Sequence, residues 1–517
     1  MNIKIGIISL WVSLFFMACY EDKGNYDYLD YNEIKTISSV SALTKTSINL
    51  GDTVRIVPKF TWKYPDQDTS ANAFEFVWIK TWGGDTLSRE RELEYIPTEC
   101  CSQQSHYLFI TDKATGIVYR QDYSVTVKTP YLNGFLVASN VDNQGTLHYF
   151  RRDSYKDEEK KTHYYWTPEL DVYRRLHSED PLGKLENFSV YSCTTSDDEV
   201  VVFQEDGEAY VLNGLDFKRY LNLEDDFTGG YPAGFKPKQF VRGGYIDVLL
   251  GTNGQIYWRS NSENSTLLHD EPFMDTPVYF AGGGANVTHF FDKWVGHGDL
   301  FLGYDALNKR LISMYGSFSS GNSYLGMAQE WFYYGSTPGH VSPLDYGDAE
   351  LIYLGVYNKG NGYTSIIKKD GQYLLQDFVL KGGYSNYTVT INSQEVFVAA
   401  SVLSDKSVFF RGNQSLYLYF TDGANKLYYY NTASKEWGLY GEFPGNITFM
   451  EMDPEDALLG LTTDAGTFHI CSVNDIEILV APNPREVGEK YSVTGLGDII
   501  GITWKFGGYY NETFWRY

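Results

Sequence analysis

Glu199-Val200-Val201-Val202-Phe203-Gln204-Glu205-Asp206-Gly207-Glu208-Ala209-Tyr210-Val211-Leu212-Asn213 decides how most of this 517-residue chain is read. A β-branched run leads into Asp-Gly, and an aromatic strand leaves it. β-Branched and aromatic residues favour pleated backbone. Asp-Gly tolerates the positive φ that tight hairpins need. The signature recurs as Asn143-Gln144-Gly145-Thr146-Leu147, Asn253-Gly254-Gln255-Ile256-Tyr257, Asn308-Lys309-Arg310-Leu311-Ile312, Asp370-Gly371-Gln372-Tyr373, Asn425-Lys426-Leu427-Tyr428 and Asp464-Ala465-Gly466-Thr467-Phe468. Marked at 145, 207, 254, 309, 371, 426 and 466, the copies stand 40 to 62 residues apart. Each is expected to be a two- or three-residue hairpin turn. Hairpins at that pitch predict a β-propeller over 130–517 of about seven blades, with about six or eight as neighbouring solutions. Gly134-Phe135-Leu136-Val137-Ala138 is expected to meet Ile499-Ile500-Gly501-Ile502-Thr503-Trp504, because closure removes exposed strand edges. Two β-sandwiches in tandem are the alternative.

Upstream of Pro130 the texture differs. Val54-Arg55-Ile56-Val57, Phe74-Glu75-Phe76-Val77-Trp78-Ile79, His106-Tyr107-Leu108-Phe109-Ile110 and Tyr123-Ser124-Val125-Thr126-Val127 read as short strands between turn signals. That spacing predicts a β-sandwich over 34–129 with Trp78 packed between its sheets. No helix longer than a turn or two is expected after the N-terminal segment, and Met327-Ala328-Gln329-Glu330 gives one turn at most. The fold class is all-β. The composition agrees: 17% aromatic, 49 Gly, and 43% hydrophobic, enough for large cores. The formal charge is 42 minus 66, or −24. Such a surface repels nucleic acid, whose binding needs basic patches, and it repels anionic lipid.

The N-terminus carries an address. Lys4 precedes an apolar run from Ile5 to Met17, too short to span a bilayer, which takes about 20 residues. Ala18-Cys19 then ends an export signal over 1–18. It looks like a lipobox, where the Cys19 thiol takes a diacylglycerol and becomes the new N-terminus. Residues 19–33 form a polar, Tyr-rich tether. Glu21-Asp22 directly behind the cysteine resembles the export tag that carries lipoproteins of Bacteroidota to the outer face of the outer membrane. Cys19-Tyr20-Glu21-Asp22-Lys23-Gly24-Asn25-Tyr26-Asp27-Tyr28 as a whole resembles the start of the PKD-like family lipoproteins of those bacteria. The order of the Trp78 strand, Thr111-Asp112-Lys113-Ala114-Thr115-Gly116 and the Val125-Thr126-Val127 end strand resembles the PKD-like fold. The resemblance implies an accessory lipoprotein of a Sus-type nutrient importer, partnered by its outer-membrane barrel and lid lipoprotein.

The motifs of common chemistries are missing. There is no His-Glu-x-x-His, no Gly-x-Ser-x-Gly and no phosphate loop. His289, His297 and His340 fit no familiar metal spacing. Cys100, Cys101, Cys193 and Cys471 read as structural. Asp197-Asp198-Glu199 and Glu224-Asp225-Asp226 read as solvated surface, and Asn140-Val141-Asp142-Asn143-Gln144-Gly145 as a hairpin turn rather than a calcium loop. No cofactor and no metal are expected. Gly316 to Gly347 is the stretch that looks built for contact, a long insertion with aromatics among Gly, Ser and Pro. Tyr324, Trp331, Phe332, Tyr333, Tyr334 and His340 are its candidate ligand- or partner-binding residues. The expected function is a non-enzymatic surface subunit that binds peptide or glycan for uptake. The alternatives are a surface glycan- or peptide-degrading hydrolase with converging carboxylates on the propeller face, and a structural scaffold.

Overall fold

A computed structural model of the chain describes residues 32–39, 47–64, 73–81, 84–191, 199–242, 246–260, 271–280, 284–291, 300–319, 322–328, 332–333, 339–357, 362–381, 388–413, 416–454, 456–473 and 490–505. These are almost wholly strands and turns; the α-helix among them, Val172–Leu176, is a single turn. The chain forms two compact units that interleave in sequence. The first takes Met1–Thr46, Val54–Tyr95 and Gln103–Val125, and the second takes Ser47–Thr53, Ile96–Ser102 and Thr126–Tyr517.

In the first unit, Phe74–Lys80 pairs antiparallel with Cys101–Asp112 on one side and Thr86–Ser88 on the other. Two short ladders join Ile34–Ser39 to Pro58–Trp62 and Val54–Ile56 to Leu93–Tyr95. Val54, Ile56, Trp78, Leu93, Leu108 and Val125 are buried as their core. Trp78 has no solvent exposure and donates its indole N–H to Glu90 O at 3.1 Å, so its polar edge is satisfied within the core.

The second unit is a succession of seven antiparallel sheets. Sheets 2 to 7 open with Leu185–Tyr191, Pro237–Arg242, Val287–Phe290, Glu350–Tyr357, Phe409–Arg411 and Ile447–Met452, and each continues strand by strand in chain order, save that sheet 5 adds the earlier Phe332–Tyr333 beyond its last strand. Sheet 1 departs from that rule. Its order is Thr162–Glu169, Gln144–Lys156, Gly134–Val141, Asp498–Lys505, so its first place is filled by the last described strand of the chain. Phe135 lies opposite Trp504 and Val137 opposite Ile502 in that ladder.

The seven signature turns now have a single meaning: each joins the second strand of a sheet to the third. Asp142-Asn143 (φ 54° and 62°) and Asp370-Gly371 (φ 50° and 77°) are two-residue turns with both residues left-handed. That backbone matches the twist of the flanking strands. Asp464-Ala465-Gly466 has its glycine at φ 66°. The connections at 205–208, 252–255, 306–309 and 422–425 are longer than the hairpin chemistry suggests. The first turn also sits earlier than its marker glycine. Gly145 is a strand residue, and a Cβ there would meet Leu185 Cγ at 2.5 Å.

Successive sheets bury apolar faces on one another. Val201, Phe203 and Val211 of sheet 2 pack with Phe240 and Leu249 of sheet 3. Val248 and Ile256 continue to Ile312 and Met314, and Leu302 and Leu311 to Leu354 and Tyr363. Ile366 and Leu375 reach Phe409 and Leu418, and Tyr419 and Leu427 reach Met450 and Leu459. Leu458, Phe468 and Ile470 of sheet 7 then pack on Phe135, Phe150, Ile502 and Trp504 of sheet 1. The second strand of a sheet lies between two neighbours, which is why Glu199–Gln204, Ile246–Gly251 and Leu458–Thr463 are buried at every residue.

Candidate functional site

The first strands of sheets 1, 2 and 3 lie beside one another, as do those of sheets 5, 6, 7 and 1. Such strands would present unpaired backbone groups to their neighbours, and side-chain amides satisfy them. Asn140 accepts from Leu185 N at 2.7 Å and donates to Leu185 O at 2.9 Å. Asn187 donates to Lys238 O at 2.8 Å. Gln239 accepts from Phe290 N and donates to Phe290 O, both at 2.9 Å. Asn140→Ala would leave the Leu185 amide and carbonyl unpaired in a buried seam. The expected cost is about 1–3 kcal/mol, read as a lowered denaturation midpoint with an unchanged slope.

Two of the buried charge clusters of this unit surround arginines. Arg259, with 1% of its side chain exposed, donates from Nη1 to Asp226 at 2.7 Å and from Nε to Asp247 at 2.8 Å. The Phe273 ring lies 4.8 Å from its guanidinium carbon. Arg411, buried in the first strand of sheet 6, forms the second place. Its backbone N–H donates to the Tyr353 hydroxyl at 2.7 Å, its Nη1 donates to Tyr417 O at 2.9 Å, and its guanidinium stands 4.8 Å from the Tyr357 ring centre. Tyr357 donates to Asp377 at 2.6 Å. Burial pushes the Asp377 carboxyl above the usual carboxylate range, against hydrogen bonds and the Arg411 charge that pull it down. Burial likewise lowers the Arg411 guanidinium. In both places the charged groups meet polar partners, so the arrangement clamps sheet to sheet.

One constellation has the residue types of a nucleophile and base. Ser139 Oγ lies 2.8 Å from His148 Nε2, and the Asp171 backbone N–H donates to His148 Nδ1 at 3.2 Å. Because Nδ1 accepts, the neutral ring carries its proton on Nε2 and donates to Ser139. A base that activates a hydroxyl must accept from it instead. Ser139 and His148 are also buried, at 0% and 2% exposure. The geometry therefore supports packing rather than acyl transfer.

The residues singled out in the sequence fall unevenly. Tyr324 lies on Asn322–Ala328, the fourth strand of sheet 4, opposite Ser317. Phe332 and Tyr333 form a short strand that adds in parallel to Thr388–Val396 at the outside of sheet 5. Within the stretch read as an insertion, the described residues 316–319, 322–328 and 332–333 are strand, and Met327-Ala328 is strand rather than helical turn. His340 is half-buried, and its Nδ1 has no hydrogen-bond partner. His289 is exposed and meets Thr288 Oγ1 at 2.9 Å. Trp331, Tyr334, Cys19, Glu21, Asp22, His297 and Cys193 lie outside the described residues. Cys100 and Cys101 are half-buried, and Cys471 is buried. Among the described residues no group of three or more His, Cys, Asp or Glu is placed to hold a metal ion.

Two carboxylates read as solvated surface are buried instead. Glu199 is 4% exposed and accepts from the Tyr220 hydroxyl, and Asp226 is an Arg259 partner. The sequence missed Asp247 and Arg259 as well. The signal for Asp247 is a charge inside an otherwise apolar strand, Ile246-Asp247-Val248-Leu249-Leu250, and Arg259 follows the apolar Ile256-Tyr257-Trp258.

This geometry defines an all-β protein of two units, the second built from repeated antiparallel sheets. Residues 19–180 match the PKD-like family, so the match runs past Pro130 and over the strands Gly134–Val141, Gln144–Lys156 and Thr162–Glu169. No curated protein matches the chain. Among solved structures, it is similar to Citrobacter koseri AztD at 9% identity, covering 78% of this chain and 95% of that one, with a TM-score of 0.37. It is similar to the dihydro-heme d1 dehydrogenase NirN at 9% identity, covering 83% and 74%, with a TM-score of 0.35. The β-propeller domain of Myceliophteria thermophila Cps50 (Swd1) matches at 10% identity, covering 56% and 94%, with a TM-score of 0.30. Likeness at this level carries nothing about activity.

Proposed function

We propose that this chain is a lipid-anchored protein of the outer membrane, facing the cell exterior, whose second unit is a seven-bladed β-propeller presenting a binding face. It serves a Sus-type importer of peptides or glycans as a non-enzymatic accessory subunit. The observation that carries the reading is a coincidence at one residue: the apolar export segment ends at Cys19, and the PKD-like match begins there. Acylation of Cys19 supplies the attachment. Tyr324, Trp331, Phe332, Tyr333, Tyr334 and His340 supply the contact surface, with Glu21 and Asp22 directing display. A few aromatics carry most of a binding energy at such a surface.

Cys19→Ala is expected to abolish retention in the outer membrane, as fractionation of labelled cells would read. Undiminished sedimentation with membranes would reject the anchor. Glu21→Ala with Asp22→Ala should keep the lipid yet lose cleavage by protease added to whole cells. Equal cleavage of parent and double variant would reject the display tag.

A further inference from the structure

We propose that Lys238 and His289, on the neighbouring first strands of sheets 3 and 4, form a binding site for the carboxylate of a small organic acid. The site is separate from the 324–340 contact surface, and its test does not depend on attachment or display.

The placement starts from a repeated backbone feature. In sheets 1 to 5 and 7 the first strand carries one residue more than its partner near the start of the ladder. The extra residues are Ile500, Glu186, Lys238, Thr288, Ile352 and Thr448. A bulge of this kind interrupts the pairing and re-aims a side chain. All six residues are half-buried or exposed. Sheets 3 and 4 are tied together directly after their bulges. Gln239 donates to Phe290 O and accepts from Phe290 N, both at 2.9 Å. Lys238 and His289 immediately precede those two residues, so they stand at one level on adjoining strands. The Lys238 carbonyl is held from the other side by Asn187 at 2.8 Å.

The chain has 66 acidic side chains against 42 basic ones, yet none reaches Lys238. Among the described residues no hydrogen bond or ion pair engages its ammonium, although the residue is half-buried. The carboxylate at the matching bulge of sheet 2, Glu186, is taken by Lys236 at 3.0 Å. Burial lowers the Lys238 ammonium with no opposing charge, a cost that a bound anion would offset. His289 supplies the second donor. The Thr288 hydroxyl is nearer to its Nδ1, at 2.9 Å, than to Tyr304 O, at 3.4 Å. With that hydroxyl donating to Nδ1, the neutral ring carries its proton on Nε2, which has no partner in the protein. His289 keeps solvent-exposed surface while the chain around it, and then the Lys238 charge, hold the ring pKa down to about 4. A ring set in a recess has both properties. The Phe291 and Tyr304 ring centres stand 4.3 Å and 6.1 Å from that of His289, giving the recess an aromatic wall. One ammonium and one imidazole N–H match a singly charged group with two acceptor oxygens. The wall suits the organic body that carries it.

Titration calorimetry on the whole protein at neutral pH, with the His289 ring resonances followed in parallel, tests this. The probes are trialanine, its C-terminal amide, galacturonic acid and galactose. Saturable binding that shifts the His289 ring is expected from at least one of the two acids and not from its neutral counterpart. Which acid binds tells a peptide terminus from an acidic sugar. Lys238→Met should weaken that binding about tenfold or more, the usual worth of a hydrogen bond to a charged group. It should also melt at or above the parent temperature, because the ammonium it removes is half-buried and uncompensated. Lys368→Met removes an equal charge from sheet 5, where Asp405 already pairs it, and should leave binding within about twofold. Binding of neither acid, or equal binding of the neutral counterparts, overturns the site. Unchanged binding in Lys238→Met overturns it as well. A clearly lower melting temperature for Lys238→Met also overturns it, since the lysine would then serve the packing.

Discussion

Removing residues 495–517 is expected to abolish cooperative folding of the second unit. The deletion takes away Leu496, Ile499, Ile502 and Trp504, all buried in the cluster that joins sheets 7 and 1. Losing one buried Trp or Ile costs about 2–5 kcal/mol, and a whole domain is stable by only about 5–15 kcal/mol. The deletion removes several such side chains together with a ladder of backbone hydrogen bonds. It also bares the edge of Gly134–Val141, a strand buried along nearly all its length and rich in apolar residues. An exposed edge of that kind templates association. The expected result is loss of the melting transition and concentration-dependent aggregates on sizing. Trp504→Ala is the gentler form, expected to cost about 3–5 kcal/mol while the protein remains monomeric. Truncated protein that stays monomeric and melts like the parent would mean that the last strand adds nothing to the unit.

Arg259→Met should be the most damaging single charge removal. It leaves Asp226 and Asp247 facing each other across a buried site with their common counter-ion gone. Breaking a buried pair by removing one partner costs about 3–5 kcal/mol, because the remaining charge is left uncompensated. A loss within that range is expected in a urea titration. Combining Arg259→Met with Asp226→Leu and Asp247→Val should recover most of the loss, since apolar replacement of a whole buried ion network is often neutral or stabilising. A small loss for the single variant would show that water already reaches the site. No recovery in the triple variant would show that the network shapes sheet 3 beyond its charge balance.

The sequence by itself determined the local half of this structure. Strand and turn chemistry are written within a few neighbouring residues. Val200-Val201-Val202-Phe203 followed by Asp206-Gly207 can hardly be anything but a strand entering a turn. That is why all seven markers fall at the same connection of their sheets. The pairing of 134–138 with 499–504 was also legible, because an apolar strand at each end of a repeat array has an edge that needs a partner. Turn length was less legible. Asp142-Asn143 forms the turn, ending two places before Gly145, which serves as a strand residue pressed against Leu185.

Only the tertiary structure decided which polar residues went inside. Asp226 sits in Glu224-Asp225-Asp226, where nothing nearby in the chain distinguishes it from its neighbours. Its burial follows from Arg259, brought against it through the packing of sheets 2 and 3. Glu199 and Tyr220, and Arg411 and Tyr353, are likewise joined by the fold and not by adjacency. The physical reason is range. Backbone preference acts over a few residues, and the sequence states it directly. A charge becomes affordable inside only where a partner arrives from elsewhere, and that arrival is set by how whole sheets stack.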